Sequence, residues 1–92
     1  MEELVVKGEV ALKVADALTS TTTRILQLLS KEKLDISTTA KRLGMSEGYI
    51  SEQARILEEL GLIKVNYEKG KKGIRKICQL QVSKITFLIE SD

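Results

Sequence analysis

The sequence predicts an α+β fold, mostly α-helical with a small antiparallel sheet. Three observations carry this. Apolar residues recur at helical spacing in successive stretches between Glu9 and Leu60. Residues 62–82 then switch to a two-residue alternation broken by a glycine-containing turn. The 92 residues, 42% hydrophobic and 30% charged, suit one soluble globular domain rather than a disordered chain. Residues 1–92 are therefore read as a single domain, with a helical part at 10–61, a hairpin at 62–82, and short apolar strands at 4–7 and 85–89 as edge or dimer strands. Aromatic residues make up only 3%, so the core is expected to be aliphatic.

Each element has a local reason. Leu4 to Lys7 has strand composition and Gly8 ends it. From Glu9 to Leu18, Ala11, Val14, Ala15 and Leu18 mark the inward face of a first helix. Thr19 to Thr23 supplies N-cap hydroxyls for a second, centred on Ile25, Leu26, Leu28 and Leu29. That helix is expected to end near Lys31 to Lys33, where cations suit the negative end of the helix dipole. Ser37 or Thr38 caps a short third helix carrying Ala40 and Leu43 inward, closed by Gly44 in the left-handed conformation. Ser46 caps the fourth, with Met45 and Ile50 at the positions of a hydrophobic staple. Ile50, Ala54, Leu57 and Leu60 form its apolar stripe before Gly61 stops it. Ile63 to Tyr67 alternates as a half-buried strand. Lys69 to Gly73 is a turn, and Ile74 to Val82 returns with Cys78, Leu80 and Val82 inward. Ile85 to Ile89 is a last strand.

Charge is local rather than global. Between residues 62 and 76, six cations (Lys64, Lys69, Lys71, Lys72, Arg75 and Lys76) face Glu68 alone, a net +5 on a chain whose total is +2. Such a patch is the footprint of a nucleic-acid contact, or a solvated hairpin tip that protects a sheet edge with lysine.

Composition also excludes classes. There is no histidine and one cysteine, which removes an intrachain disulfide and leaves carboxylates and one thiol as metal ligands, so no metal and no cofactor is expected. Histidine-based acid–base chemistry is absent. Gly70 to Gly73 is a turn, because a phosphate-binding loop needs longer spacing and a following helix. No enzyme is indicated. Cys78 reads as a small buried hydrophobe. No apolar run approaches a membrane span, and a reducing, cytoplasmic setting fits best.

Two short helices joined by a tight turn and followed by a basic hairpin are the outline of a winged helix-turn-helix, its helix-turn-helix at 37–60. The stretch LGMSEGYISEQARILEELGLIKV, from Leu43 to Val65, resembles the ArsR-like winged-helix regulators, especially their small archaeal members. The Leu-Gly-Met-Ser turn, the Ile50–Ser51 pair and Leu60-Gly61-Leu62-Ile63 carry the likeness, which covers roughly residues 10–82 and does not separate ArsR-like from MarR-like relatives. The resemblance implies DNA binding. It does not extend to metal sensing, since residues 34–39 lack the cysteines of the metal-binding members, and the usual C-terminal dimerisation helix is replaced by Ile85 to Ile89.

In such a fold the second helix enters the major groove. Glu47, Gly48, Tyr49, Ser51, Glu52, Gln53 and Arg55 are then left outward or at the flank of the buried stripe. Gln53 suits adenine, Glu52 accepts from cytosine N4, and Ser51 donates or accepts. Tyr49 reaches a phosphate or a thymine methyl group, Gly48 permits close approach, and Arg55 suits a phosphate. Ser37, Thr38, Thr39 and Ser46 offer hydroxyls and helix-start amides to the backbone, aided by Lys41 and Arg42. Lys69, Lys71, Lys72, Arg75 and Lys76 are expected on phosphates or in the minor groove. Glu47 and Glu52 make this recognition helix acidic, which repels phosphate.

The leading expectation is a sequence-specific regulator of transcription that binds double-stranded DNA as a homodimer, since one module covers about one half-site. The strands at 4–7 and 85–89 pair with each other or with their copies, with the first helix at the interface. The alternatives are a winged-helix protein–protein module and a general chromatin-like DNA binder.

Overall fold

The computed structural model describes residues 2–90, and among these the chain runs β1 (Glu2–Val6), α1 (Gly8–Ala17), α2 (Ser20–Leu29), β2 (Leu34–Asp35), α3 (Ile36–Leu43), α4 (Glu47–Glu59), β3 (Ile63–Gly70), β4 (Gly73–Leu80) and β5 (Val82–Phe87). Helices α2, α3 and α4 pack against a three-stranded antiparallel sheet of order β2-β4-β3. This is the mostly helical α+β fold the periodicity predicts.

The core is aliphatic. Ile25 and Leu29 of α2, Ala40 of α3, Ile50, Ala54 and Leu57 of α4, Leu62 between α4 and β3, and Ile63, Cys78 and Leu80 of the sheet belong to one buried cluster. Ile50, Leu57 and Leu62 are wholly buried. Burial raises the Cys78 thiol to about 11, so it stays protonated and behaves as a small apolar side chain.

Two glycines set the angles of the helix-turn-helix. Gly44 takes φ 67°, its amide bonds the Lys41 carbonyl and the Met45 amide bonds that of Ala40. Gly61 takes φ 77°, with Gly61 N–H on Glu58 and Leu62 N–H on Leu57. Both are left-handed closures that satisfy otherwise orphaned helix carbonyls. At the second, the following residue Leu62 and Leu57 are both buried, which turns the chain from α4 straight into β3.

Helix starts follow the expected chemistry with one correction. Thr19 and Thr22 form a reciprocal capping box at α2, and Ser46 Oγ accepts the Tyr49 amide at 3.2 Å at α4. The cap of α3 is Asp35, not Ser37 or Thr38: its carboxylate accepts the Thr38 amide at 2.7 Å. A charged acceptor makes the stronger bond at a helix N-terminus. The helix-turn-helix accordingly spans 36–59.

Other boundaries move. Helix α2 stops at Leu29, so Lys31 to Lys33 lie beyond it rather than in its last turn. Ala15 is exposed and Val14 alone on α1 is buried, because α1 packs on β1 and leaves most of its circumference open. Lys7 is the cap residue of α1 and not part of β1. Strand β2 was not foreseen, being two residues long; it pairs Leu34 with Cys78 and Asp35 with Ile77.

At the end of the chain, Val82 belongs to β5, while Leu88 and Ile89 lie past the strand. Strands β1 and β5 pair with each other, in parallel, through Leu4–Ile85, Val5–Thr86 and Val6–Phe87. They form a separate two-stranded sheet. The molecule is elongated, 51 × 23 × 20 Å, with a radius of gyration of 13.9 Å.

Candidate nucleic-acid interface

The wing is the hairpin β3–β4. Its register runs from Ile63–Leu80 and Val65–Cys78 in the core to Tyr67–Lys76 and Lys69–Ile74 outside it, and closes at Gly70–Gly73. The turn is therefore the two residues Lys71 and Lys72, tighter than the five-residue turn expected, with Lys69 and Gly70 still in the strand. Two-residue loops bordered by glycine match the twist of paired strands. Lys64, Lys69, Lys71, Lys72, Arg75 and Lys76 are all exposed.

Three polar tethers fix the wing against the helix-turn-helix. Arg75 donates to Asp35 Oδ2 from Nε at 3.1 Å and from Nη2 at 2.7 Å. Lys76 Nζ lies 3.4 Å from Ser51 Oγ on α4. Glu58 of α4 accepts the Val65 amide on β3 at 3.2 Å. Asp35 thus holds both the start of α3 and the wing. Hydrogen bonds from Thr38, side chain first and then amide, and from Arg75 hold its carboxyl at about 2, well below the ordinary 3.8.

The result is an open groove between the wing and the helix-turn-helix. Ser37 of α3, Glu47 and Ser51 of α4, and the wing from Lys69 to Lys76 line it. Lysines surround its outer wall, while its floor carries the Asp35 and Glu47 carboxylates and the Ser37 and Ser51 hydroxyls, so an extended polyanion would find its cations on the wing side.

The expected site residues divide. Ser37, Ser46, Glu47, Gly48, Tyr49, Glu52 and Arg55 are exposed, and Thr38, Ser51 and Gln53 half-buried. A Cβ built on Gly48 would meet nothing within 4 Å, so the surface there is open. Thr39 goes the other way. It is 2% exposed and its hydroxyl donates to the Asp35 carbonyl at 2.8 Å, so it faces the core rather than a phosphate. Arg55 is engaged within its own helix: Nε donates to Glu52 Oε2 at 3.1 Å, and its other nitrogens reach Glu52 and Glu59. This pairing, with Glu52 the larger influence, raises the Arg55 pKa, and it lowers that of Glu52. Arg42, expected on the backbone, sits 3.5 Å from Glu32 in a surface ion pair.

Sequence reasoning missed three contributors. Asp35 was passed over as a cap, although Asp three residues before Thr38 has the spacing for one. Glu58 gave no signal, since its partner is a backbone amide seven residues on. Ile74 shares the alternation of Cys78 and Leu80, yet lies 72% exposed at the wing's outer end.

The arrangement is a winged helix-turn-helix, a fold that serves a class of DNA-binding transcription regulators. Residues 19–65 match the family model described as bacterial regulatory protein, arsR family. The chain belongs to the arsR family. No curated protein sequence matches it. Solved structures share the fold at low identity. Reduced HlyU of Vibrio cholerae N16961 aligns with TM-score 0.67 at 19% identity, over 80% of this chain and 75% of that one. The homodimeric winged helix-turn-helix DNA-binding domain Mb0332 of Mycobacterium bovis aligns with TM-score 0.67 at 22%, over 78% and 64%. A transcriptional regulator homologue of Pyrococcus horikoshii OT3 aligns with TM-score 0.58 at 21%, over 75% of each. Among the described residues no helix is long and apolar enough to cross a membrane.

Proposed function

We propose that the protein is a sequence-specific regulator that binds double-stranded DNA as a homodimer, with α4 in the major groove and the wing on phosphates or in the adjacent minor groove. The observation that carries this is the tethered groove: a lysine-rich wing is held at a fixed distance from the exposed first turns of α4. Gln53, Ser51 and Tyr49 are the base-reading side chains, with Gly48 leaving room for the duplex. Lys69, Lys71, Lys72 and Lys76 supply the grip. Ser37, Thr38 and Ser46 position the backbone. Thr39 is left out because it is buried, and Arg55 reaches a phosphate only by giving up its two carboxylates.

Dimerisation follows from half-site geometry and from where apolar surface is left. Val5, Val10, Leu12, Leu88 and Ile89 are exposed, and all lie on β1, on α1 or just past β5. The Leu88 amide bonds the Val6 carbonyl, so the two ends of the chain share this patch. A two-stranded sheet with open edges is marginal alone, and a second copy would complete it. The Mycobacterium bovis neighbour is described as homodimeric. A compartment holding DNA, the cytoplasm of a prokaryote, is the matching location.

Glu47, Glu52 and the internally paired Arg55 favour a second reading, a winged helix that binds protein. Selection from a random duplex pool separates the readings. The regulator enriches a two-fold site with half-sites about one helical turn, roughly 10 base pairs, apart. Enrichment of nothing despite salt-sensitive binding supports a chromatin-like binder, and no retention at low salt supports the protein module.

A further inference from the structure

Of the large apolar side chains in solvent among the described residues, three lie on the wing and recognition helix: Tyr49 at 45%, Tyr67 at 64% and Ile74 at 72% exposure. Ile74 is the most exposed of these and has the most unusual surroundings. Its cross-strand partner is Lys69, and the turn residues Lys71 and Lys72 lie just beyond. It shares a strand face with Cys78 and Leu80, but where β4 leaves the core that face opens on the groove toward Glu47 and Ser51. Lys76 already reaches Ser51 of α4. At the strand rise of ~3.4 Å per residue, Ile74 stands about 7 Å further out along β4 toward the wing tip. A threonine has the same β-branched fit to an exposed strand position without placing a large apolar side chain in solvent. An isoleucine ringed by cations gains only from a partner that is negatively charged around its rim and apolar inside, and a nucleic-acid groove is such a partner.

Resting on the DNA-binding reading, we propose that Ile74 is an apolar wedge that enters the minor groove beside the half-site, partly unstacks one base step and bends the duplex. The lysines on either side hold the flanking phosphates. The protein thereby reads the flank through its deformability, favouring a flexible pyrimidine–purine step such as TA over a stiff G·C flank.

The test uses the full chain on end-labelled duplexes carrying the selected site with either a TA or a G·C flank. Bend is read by energy transfer and affinity by titration, for wild type and Ile74→Ala. Wild type is expected to bend the TA-flanked duplex by tens of degrees and to prefer it roughly tenfold. Ile74→Ala is expected to lose both, while its discrimination of the selected site from a scrambled one, its salt dependence and its melting temperature stay unchanged. A variant that bends and discriminates flanks as wild type does, or a wild type that leaves the duplex straight, overturns the wedge and leaves the regulator standing. A wild type that cannot tell the selected from the scrambled site overturns both.

Discussion

Asp35 joins three parts of the molecule through one carboxyl group. It caps α3 through the Thr38 amide, receives two Arg75 nitrogens from the wing, and sits in β2 opposite Ile77. Loss of a helix cap alone costs about 1–2 kcal/mol, so Asp35→Ala should lower the urea midpoint by a matching amount. Its pH signature is also specific. The carboxyl is held at about 2 in the fold against 3.8 ordinarily. Its stabilisation is therefore complete above about pH 4 and is lost as pH falls toward 2. Denaturation curves of wild type and Asp35→Ala should converge over that window, and curves that stay parallel would contradict the assignment. Leu57, wholly buried in the core, gives the control for packing: Leu57→Ala should cost about 2–5 kcal/mol.

In the proposed function the wing and α4 have different duties. Lys71 and Lys72 form the turn and make no ion pair among the described residues, whereas Arg75 is bound to Asp35. Lys71→Gln should therefore reduce the slope of log affinity against log salt by about one, uniformly across sequences. Arg75→Gln should change the slope less and weaken binding through a misplaced wing; equal slope changes would show that Arg75 lies on phosphate instead. The elements were legible in the sequence wherever local rules decided them. Gly44 and Gly61 ended helices, Ser46 and Thr19 began them, and alternation marked β3 and β4. What could not be read was set by distant partners. Strand β2 exists because β4 lies beside it, and Thr39 is buried because the rest of the fold packs on that face of α3; the pairing of Arg55 with Glu52 and Glu59, by contrast, is local helix spacing.

At the scale of the whole molecule, the exposed apolar side chains separate into two groups. One lies on the wing and α4, and the other on β1, α1 and the segment past β5. The second group is the proposed dimer surface. Leu12 is 60% exposed on α1, so its replacement should cost little within one chain. Leu12→Glu should therefore give a monomer in sedimentation with an unchanged circular dichroism spectrum and weaker binding to two-fold sites. A wild type already monomeric at micromolar concentration would sink this interface. The pairing of β1 with β5 is one of the two arrangements expected from sequence; its parallel direction was not legible, because two short apolar strands do not specify it. The central claim is that α4 discriminates while the wing grips. Its most direct test is titration of the selected duplex and a scrambled one by wild type and Gln53→Ala at about 50 mM and 200 mM salt. The account predicts that wild type prefers the selected duplex at both salts, that affinity for both falls steeply as salt rises, and that Gln53→Ala loses preference without losing the salt dependence. Binding that is equally tight on both duplexes, or that ignores salt, would contradict it.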